Sequence, residues 1–77
     1  MRAMATTVRH IKATFDPDAG VWWAHSDDVQ GLVSEAATLD ALIDRVSQVT
    51  GELLSVRGEL TGPVTLQIST EREVVLA

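Results

Sequence analysis

The stretch DPDAGVWWAHSDDVQGL (residues 16–32) gathers Asp16, Asp18, Asp27, Asp28, His25 and the adjacent Trp22 and Trp23, with His10 and Lys12 shortly before it. Several chemistries are open to such a set. Two-metal phosphoryl transfer needs acids converging on one point, normally with one in the middle of a first strand. That position offers His10 and Lys12, and Asp16 and Asp18 fall in the turn beyond. Asp16, Asp18 and Asp27 can be aligned with positions one, three and twelve of an EF-hand loop. Position five would then be Gly20 and position six Val21, which removes a ligand and misplaces the hinge glycine. His10 and His25 could start a zinc site, but no second cluster supplies the remaining ligands. No serine or threonine is placed recognisably beside a His–acid pair for nucleophilic attack. The expectation is no catalytic residue, no metal and no cofactor: the acids belong to turns, and the histidines are exposed sheet positions.

The elements that must place these side chains follow from apolar periodicity. From Val8 to Phe15 the residues alternate, Ile11, Ala13 and Phe15 on one face, His10, Lys12 and Thr14 on the other, as in a half-buried strand. DPDAG supplies a five-residue hairpin loop, Pro17 setting φ and Gly20 free to turn left-handed. VWWAHS is the second strand. DDVQG is a second turn, and GLVSEA a third strand with Leu32, Ser34 and Ala36 on one face and Val33 and Glu35 on the other.

Thr38 stands at an N-cap position, with Asp40 in the first turn where the helix dipole favours an acid. Leu39, Leu42, Ile43, Val46, Val49 and Leu53 recur at three- and four-residue spacing and fall within an arc of roughly 120°. This predicts one amphipathic helix over about residues 39–55. RGELTGP ends it, and VTLQIST alternates as a fourth strand with Val64, Leu66 and Ile68 inward. EREVVLA either extends that strand or begins a short helix from a Thr70/Glu73 capping box. The predicted fold is α+β, β-β-β-α-β: an antiparallel three-stranded meander plus a fourth strand, with the helix packed on one face.

Neighbours on a strand point to opposite faces, so Trp22 and Trp23 cannot both enter one core. Parity leaves open which is inward. With Trp22 beside Ala24 under the helix, Trp23 joins Val21, His25 and Val33 on the other face. That face, rimmed by His10, Lys12 and Glu35 and bordered by Asp27 and Asp28 of the second turn, has the composition of an interface patch.

Charge is unevenly spread. Residues 1–15 carry Arg2, Arg9 and Lys12 and no acid, whereas Asp16 to Asp44 hold Asp16, Asp18, Asp27, Asp28, Glu35, Asp40 and Asp44 and no lysine or arginine. With a net charge of −5, the chain is suited to steering toward a basic protein rather than to gripping phosphates. There is no cysteine, hence no disulfide framework and no Cys-ligated zinc. Seventy-seven residues make one small, marginally stable domain, and such domains often gain stability by oligomerising. No run is long enough to cross a bilayer, and MRAMATTVRH lacks the apolar core of a signal peptide, so a cytoplasmic location without a membrane partner is expected. Residues 1–7 read as a flexible tail and 8–77 as a single domain.

The element order, together with D-P-D-A-G-V-W, S-D-D-V-Q-G-L and E-A-A-T-L-D-A-L-I, resembles the HicB-like antitoxin domain. The stretch from Ile11 to Leu54 looks most like a short stand-alone subfamily filed as a domain of unknown function. The resemblance implies a partial RNase H-like fold and a role in neutralising HicA, a small basic toxin that cleaves messenger RNA. Members usually add a helix-turn-helix or ribbon-helix-helix module for operator DNA. Nothing after Leu54 is long or basic enough for one, so no direct DNA binding is expected. Leu32 replaces a cysteine found in many members, and Asp27–Gln30 (DDVQ) replaces a frequent Pro-Asp-Leu-Pro. The expected function is a non-catalytic antitoxin-type module that masks a HicA-like toxin. The alternative is a structural or regulatory homo-oligomer, a dimer or higher, without a toxin.

Overall fold

The computed structural model describes residues 7–77. Among them four strands and one helix follow in the order β1 (Thr7–Asp16), β2 (Val21–His25), β3 (Val33–Ala36), α1 (Leu39–Val56) and β4 (Val64–Glu71). The fold is the expected α+β arrangement. The tail expected over residues 1–7 lies outside the described residues except for Thr7, which opens β1.

β1 forms because its alternation lets one side be buried: Ile11 and Ala13 are in the core while Lys12 between them is exposed. The first turn is one residue shorter than the sequence suggests. Asp16 keeps strand geometry opposite Val21 and caps the turn with its own side chain. Its Oδ1 accepts the N–H groups of Asp18 (3.0 Å) and Ala19 (3.3 Å), and its carbonyl accepts that of Gly20 (2.8 Å). Gly20 closes the four-residue loop at φ +69°, a conformation that glycine adopts without a steric penalty.

β1 and β2 pair antiparallel, with Ala13 opposite Ala24 and Phe15 opposite Trp22. β2 and β3 pair antiparallel, with Ala24 opposite Ser34 and Trp22 opposite Ala36. After α1 the chain returns on the far side of β1, where β4 runs parallel to it with Ile11 opposite Ile68. The sheet order is therefore β3-β2-β1-β4, with both ends of the crossover at sheet edges.

The core lies between one face of this sheet and α1. Ile11, Ala13, Ala24, Val29, Leu32, Leu42 and Val46 form its centre, with Trp22, Ala36, Leu39, Val49, Leu53, Leu66 and Ile68 packed around them. Burying a side chain such as Leu42 or Ile11 contributes about 1.5–3 kcal/mol through removal of apolar surface from water. The helix is closed at both ends by its own sequence. Thr38 Oγ1 accepts the Ala41 N–H at 3.1 Å. At the C-terminus the N–H of Gly58 reaches the Ser55 carbonyl (3.1 Å) and that of Glu59 the Leu54 carbonyl (2.8 Å), with Gly58 at φ +70°, which is a Schellman motif.

Beyond Glu71 the chain has no regular structure, so the open choice between strand and helix resolves into one further strand residue and an exposed segment over 72–77. Arg72 lies over the Phe15 ring, its guanidinium carbon 4.1 Å from the centroid.

Candidate functional site

The sheet face away from α1 carries no layer of its own among the described residues. The registers lay its side chains out in cross-strand rows. Ser69, Lys12, His25 and Val33 form one row, and Glu71, Thr14, Trp23 and Glu35 the next. Strand parity thus settles the tryptophans: Trp22 joins Phe15 and Ala24 on the helix side, and Trp23 stands on the open side. Trp22 and Phe15 pack with tilted rings 5.3 Å apart.

Trp23 keeps 37% of its surface exposed and Val33 keeps 78%, high values for large apolar side chains. The Trp23 indole stacks on the His25 imidazole, their centroids 4.9 Å apart and their planes inclined by 24°. This contact restricts the indole, which lowers the conformational entropy that any contact to it would cost. A groove bordered by Trp23, Val33, Glu35, Arg45 and Val49 runs around the β3 edge toward the helix. It gives the open face an apolar floor with one acid and one base at the rim. Arg45 is not singled out by the sequence; its helix position C-terminal to Thr38 gives no local sign that it borders β3.

At the other end of the face a cleft of about 370 Å³ is lined by His10, Lys12, His25, Ser26, Asp27, Asp28 and Ser69. His10 and His25 are not cross-strand partners, because His25 faces Lys12 in the register. His10 instead bonds with Asp28, whose Oδ2 accepts the His10 backbone N–H at 2.7 Å and lies 2.8 Å from its Nδ1. The His10 N–H, followed by the ring hydrogen bond, holds the Asp28 carboxyl below its ordinary pKa.

Asp28 is therefore a structural clasp as much as a free acid. Ser26 completes the clasp: its hydroxyl donates to the His10 carbonyl (2.6 Å) and accepts the N–H groups of Asp28 (2.9 Å) and Val29 (3.0 Å). Arg9 and Arg57 tie the same loop down by donating to the carbonyls of Asp28 (2.8 Å) and Gln30 (2.7 Å). The local signal for this loop is S-D-D, in which Ser26 precedes by two and three residues the N–H groups it caps. Held this way, the loop buries Val29, which the sequence alone places in a turn.

The His10–Asp28 pair resembles the histidine–acid part of a catalytic triad. Among the described residues no serine or threonine hydroxyl bonds to either imidazole, and the Ser26 oxygen is committed to the loop. Nor do three or more His, Asp or Glu side chains among them gather in a way that would hold a metal ion. Asp27 is exposed beside the cleft. Lys12 pairs with Glu71 at 3.7 Å, a solvent-exposed contact worth little by itself. Of the eight expected contact residues, Trp23, His25, Val33, Glu35, His10 and Lys12 share the open face, and Asp27 and Asp28 border it from the loop.

A small α+β domain with one covered and one open sheet face is the class these observations define. The chain belongs to the family described as a domain of unknown function, DUF1902, whose model matches residues 8–76. It is also similar to a solved structure, a hypothetical protein, TTHA1013, from the extremely thermophilic bacterium Thermus thermophilus. The two are 40% identical with a TM-score of 0.76, over 90% of this chain and 99% of that one. Comparison with curated proteins gives no match. Among the described residues no helix is long and apolar enough to cross a membrane.

Proposed function

We propose that this chain is a non-catalytic, HicB-like binding module of the antitoxin type, which masks a basic, HicA-like RNA-cleaving toxin with the open face of its sheet. The observation that carries this reading is Trp23, an indole stacked on His25 and left more than one-third exposed on a face that no other layer among the described residues covers. Partly exposed tryptophans in a shallow apolar setting, ringed by polar groups, are where binding energy concentrates in protein interfaces. The surrounding acids, Asp27, Asp28 and Glu35 with Asp16 and Asp18 beyond them, steer a basic partner and raise its encounter rate. The short side chains and bound backbone of the clasped loop keep that rim in place.

The domain works in the cytoplasm, where such a toxin meets messenger RNA, and it needs no cofactor. The test is calorimetric titration of the purified chain with the basic protein encoded beside it, together with rescue of cells expressing that protein. Saturable binding that weakens steeply with salt, and that is lost in Trp23→Ala, supports the proposal. Absence of both binding and rescue removes it, and leaves the reading in which the open face pairs with a second copy of the chain.

A further inference from the structure

A second surface is unpartnered in a different way. Among the described residues β4 is an edge strand that pairs with β1 alone, so every other backbone N–H and C=O along its outer side lacks a strand partner there. Exposed edges are normally blunted by a charge, a proline or a bulge. From Val64 to Thr70, VTLQIST, β4 has none of the charged or proline residues that do this. α1 lies over β2 and β3, so the inner side chains of β4, Val64, Leu66 and Ile68, are only half-buried. Between helix and edge remains a cleft of about 120 Å³ lined by Thr50, Leu54, Leu60, Val64 and Leu66, in which the buried Thr50 hydroxyl has no hydrogen-bond partner among the described residues.

We infer that β4 pairs antiparallel with β4 of a second copy, about a two-fold axis at Gln67, to make one continuous eight-stranded sheet. Side-chain parity and the length of the uncharged stretch select this register, because an axis at Gln67 pairs all seven residues from Val64 to Thr70 with one another. It places Leu66 opposite the partner's Ile68 and Val64 opposite the partner's Thr70 on the helix side. On the open side Thr65 meets the partner's Ser69 and Gln67 its own counterpart, so no like charges oppose each other. Glu71 falls outside the ladder, opposite the partner's Pro63, which has no N–H to offer. Shifting by one residue would set inward side chains against outward ones.

The same pairing bears on five of the six remaining exposed large apolar residues, Val8 excepted. Val56 and Leu60 lie near the start of β4, at 88% and 49% exposure, and Val74, Val75 and Leu76 follow its end, at 71%, 86% and 89%. Within one chain the eight residues of β4, about 26 Å of strand, hold these groups apart. Across the axis the strands run oppositely, which brings the apolar segment after β4 of each chain to the end of the sheet where the partner's Val56 and Leu60 lie. These exposed apolar side chains and the unpaired strand edge are the surface that such a pairing would draw out of water. The occupant is thus a second copy: the uncharged stretch Val64–Thr70 matches itself in side-chain parity and in charge when the strands run oppositely. The Trp23 face stays free in this dimer, so the inference stands apart from the proposed toxin partner.

Position 67 tests it, since an axis residue meets itself. The intact chain is expected to show dimer mass by light scattering. Gln67→Lys and Gln67→Glu are each expected to shift that mass toward monomer with unchanged circular dichroism, and their equimolar mixture to restore it. In a chain without cysteine, Gln67→Cys is expected to form a disulfide-linked dimer on mild oxidation, because facing residues of an antiparallel pair lie within disulfide reach. Should a charged variant fail to fold, this crosslink decides alone. A monomer at high concentration, or a dimer indifferent to every change at position 67, overturns the inference. A dimer broken by Trp23→Ala instead would assign self-association to the open face.

Discussion

Trp22 and Trp23 are chemically identical neighbours with opposite duties. Trp22 lies with Phe15 under the helix and belongs to the core, whereas Trp23 stacks on His25 and faces solvent. The covered and open faces of the sheet differ in the same sense along their whole length. One is built of Ile11, Ala13, Ala24 and Ser34, all buried, and the other of Lys12, His25, Val33 and Glu35. An apolar side chain earns its place on the first by leaving water during folding. On the second it stays in water and gains only when a partner arrives. Under the proposed binding role, stability and binding are therefore separable by face.

Mutations can break that separation if it is wrong. The largest effect is expected from Leu42→Ala, which leaves a cavity beneath the sheet. A loss of about 2–5 kcal/mol in denaturant-derived stability is expected, against about 0.5 kcal/mol or less for Val33→Ala on the open face. Comparable losses for the two would erase the distinction. Trp23→Ala comes next, and its effect should fall on binding. A cost of about 2 kcal/mol in affinity for the proposed basic partner is expected, roughly thirtyfold, with a much smaller change in unfolding free energy. If its unfolding cost matches that of Leu42→Ala, Trp23 is a core residue in function if not in position.

Smaller effects sharpen the picture at the ends of the elements. Thr38→Ala removes the acceptor for the Ala41 N–H, so helix α1 should lose about 1 kcal/mol, measured by thermal or chemical unfolding, without any change in partner binding. The smallest effect is expected from acid titration of the loop clasp. The Asp28 pKa is lowered on folding, so its contribution is complete above the ordinary value of 3.8 and fades as the pH falls through the lower folded value. Unfolding curves of the wild type and Asp28→Asn should therefore differ above pH 3.8 and converge in stronger acid. Parallel curves throughout would show that Asp28 is only a surface acid.

The elements themselves are legible because each carries a local signal. The six-residue apolar stripe from Leu39 to Leu53, with Thr38 before it, marks a helix that spans Leu39–Val56. Alternation in VTLQIST marks β4 almost to its last residue. The turn at Asp16–Gly20 is recognisable, but its length is not, since a side-chain cap lets Asp16 remain in the strand. The loop clasp is less visible still. Asp28 reads as a rim acid, yet its carboxylate serves the His10 N–H, a partner 18 residues away. Nothing adjacent to either residue announces that contact. Val29 is hidden for the same reason: it is buried because Ser26, Arg9 and Arg57 hold the loop against the sheet.

The sequence by itself determined which segments are strands and helix, which residues alternate, and that two adjacent tryptophans must part. These follow from backbone periods of 2 and 3.6 residues and need no knowledge of distant neighbours. Only the tertiary structure decided that Trp22 is the inward one, that β4 returns parallel to β1, and that α1 stops short of covering β4. Those outcomes depend on register and on where the helix settles over the sheet. Register is set by contacts between residues far apart in the chain, as between Ile11 and Ile68, so no local period contains it.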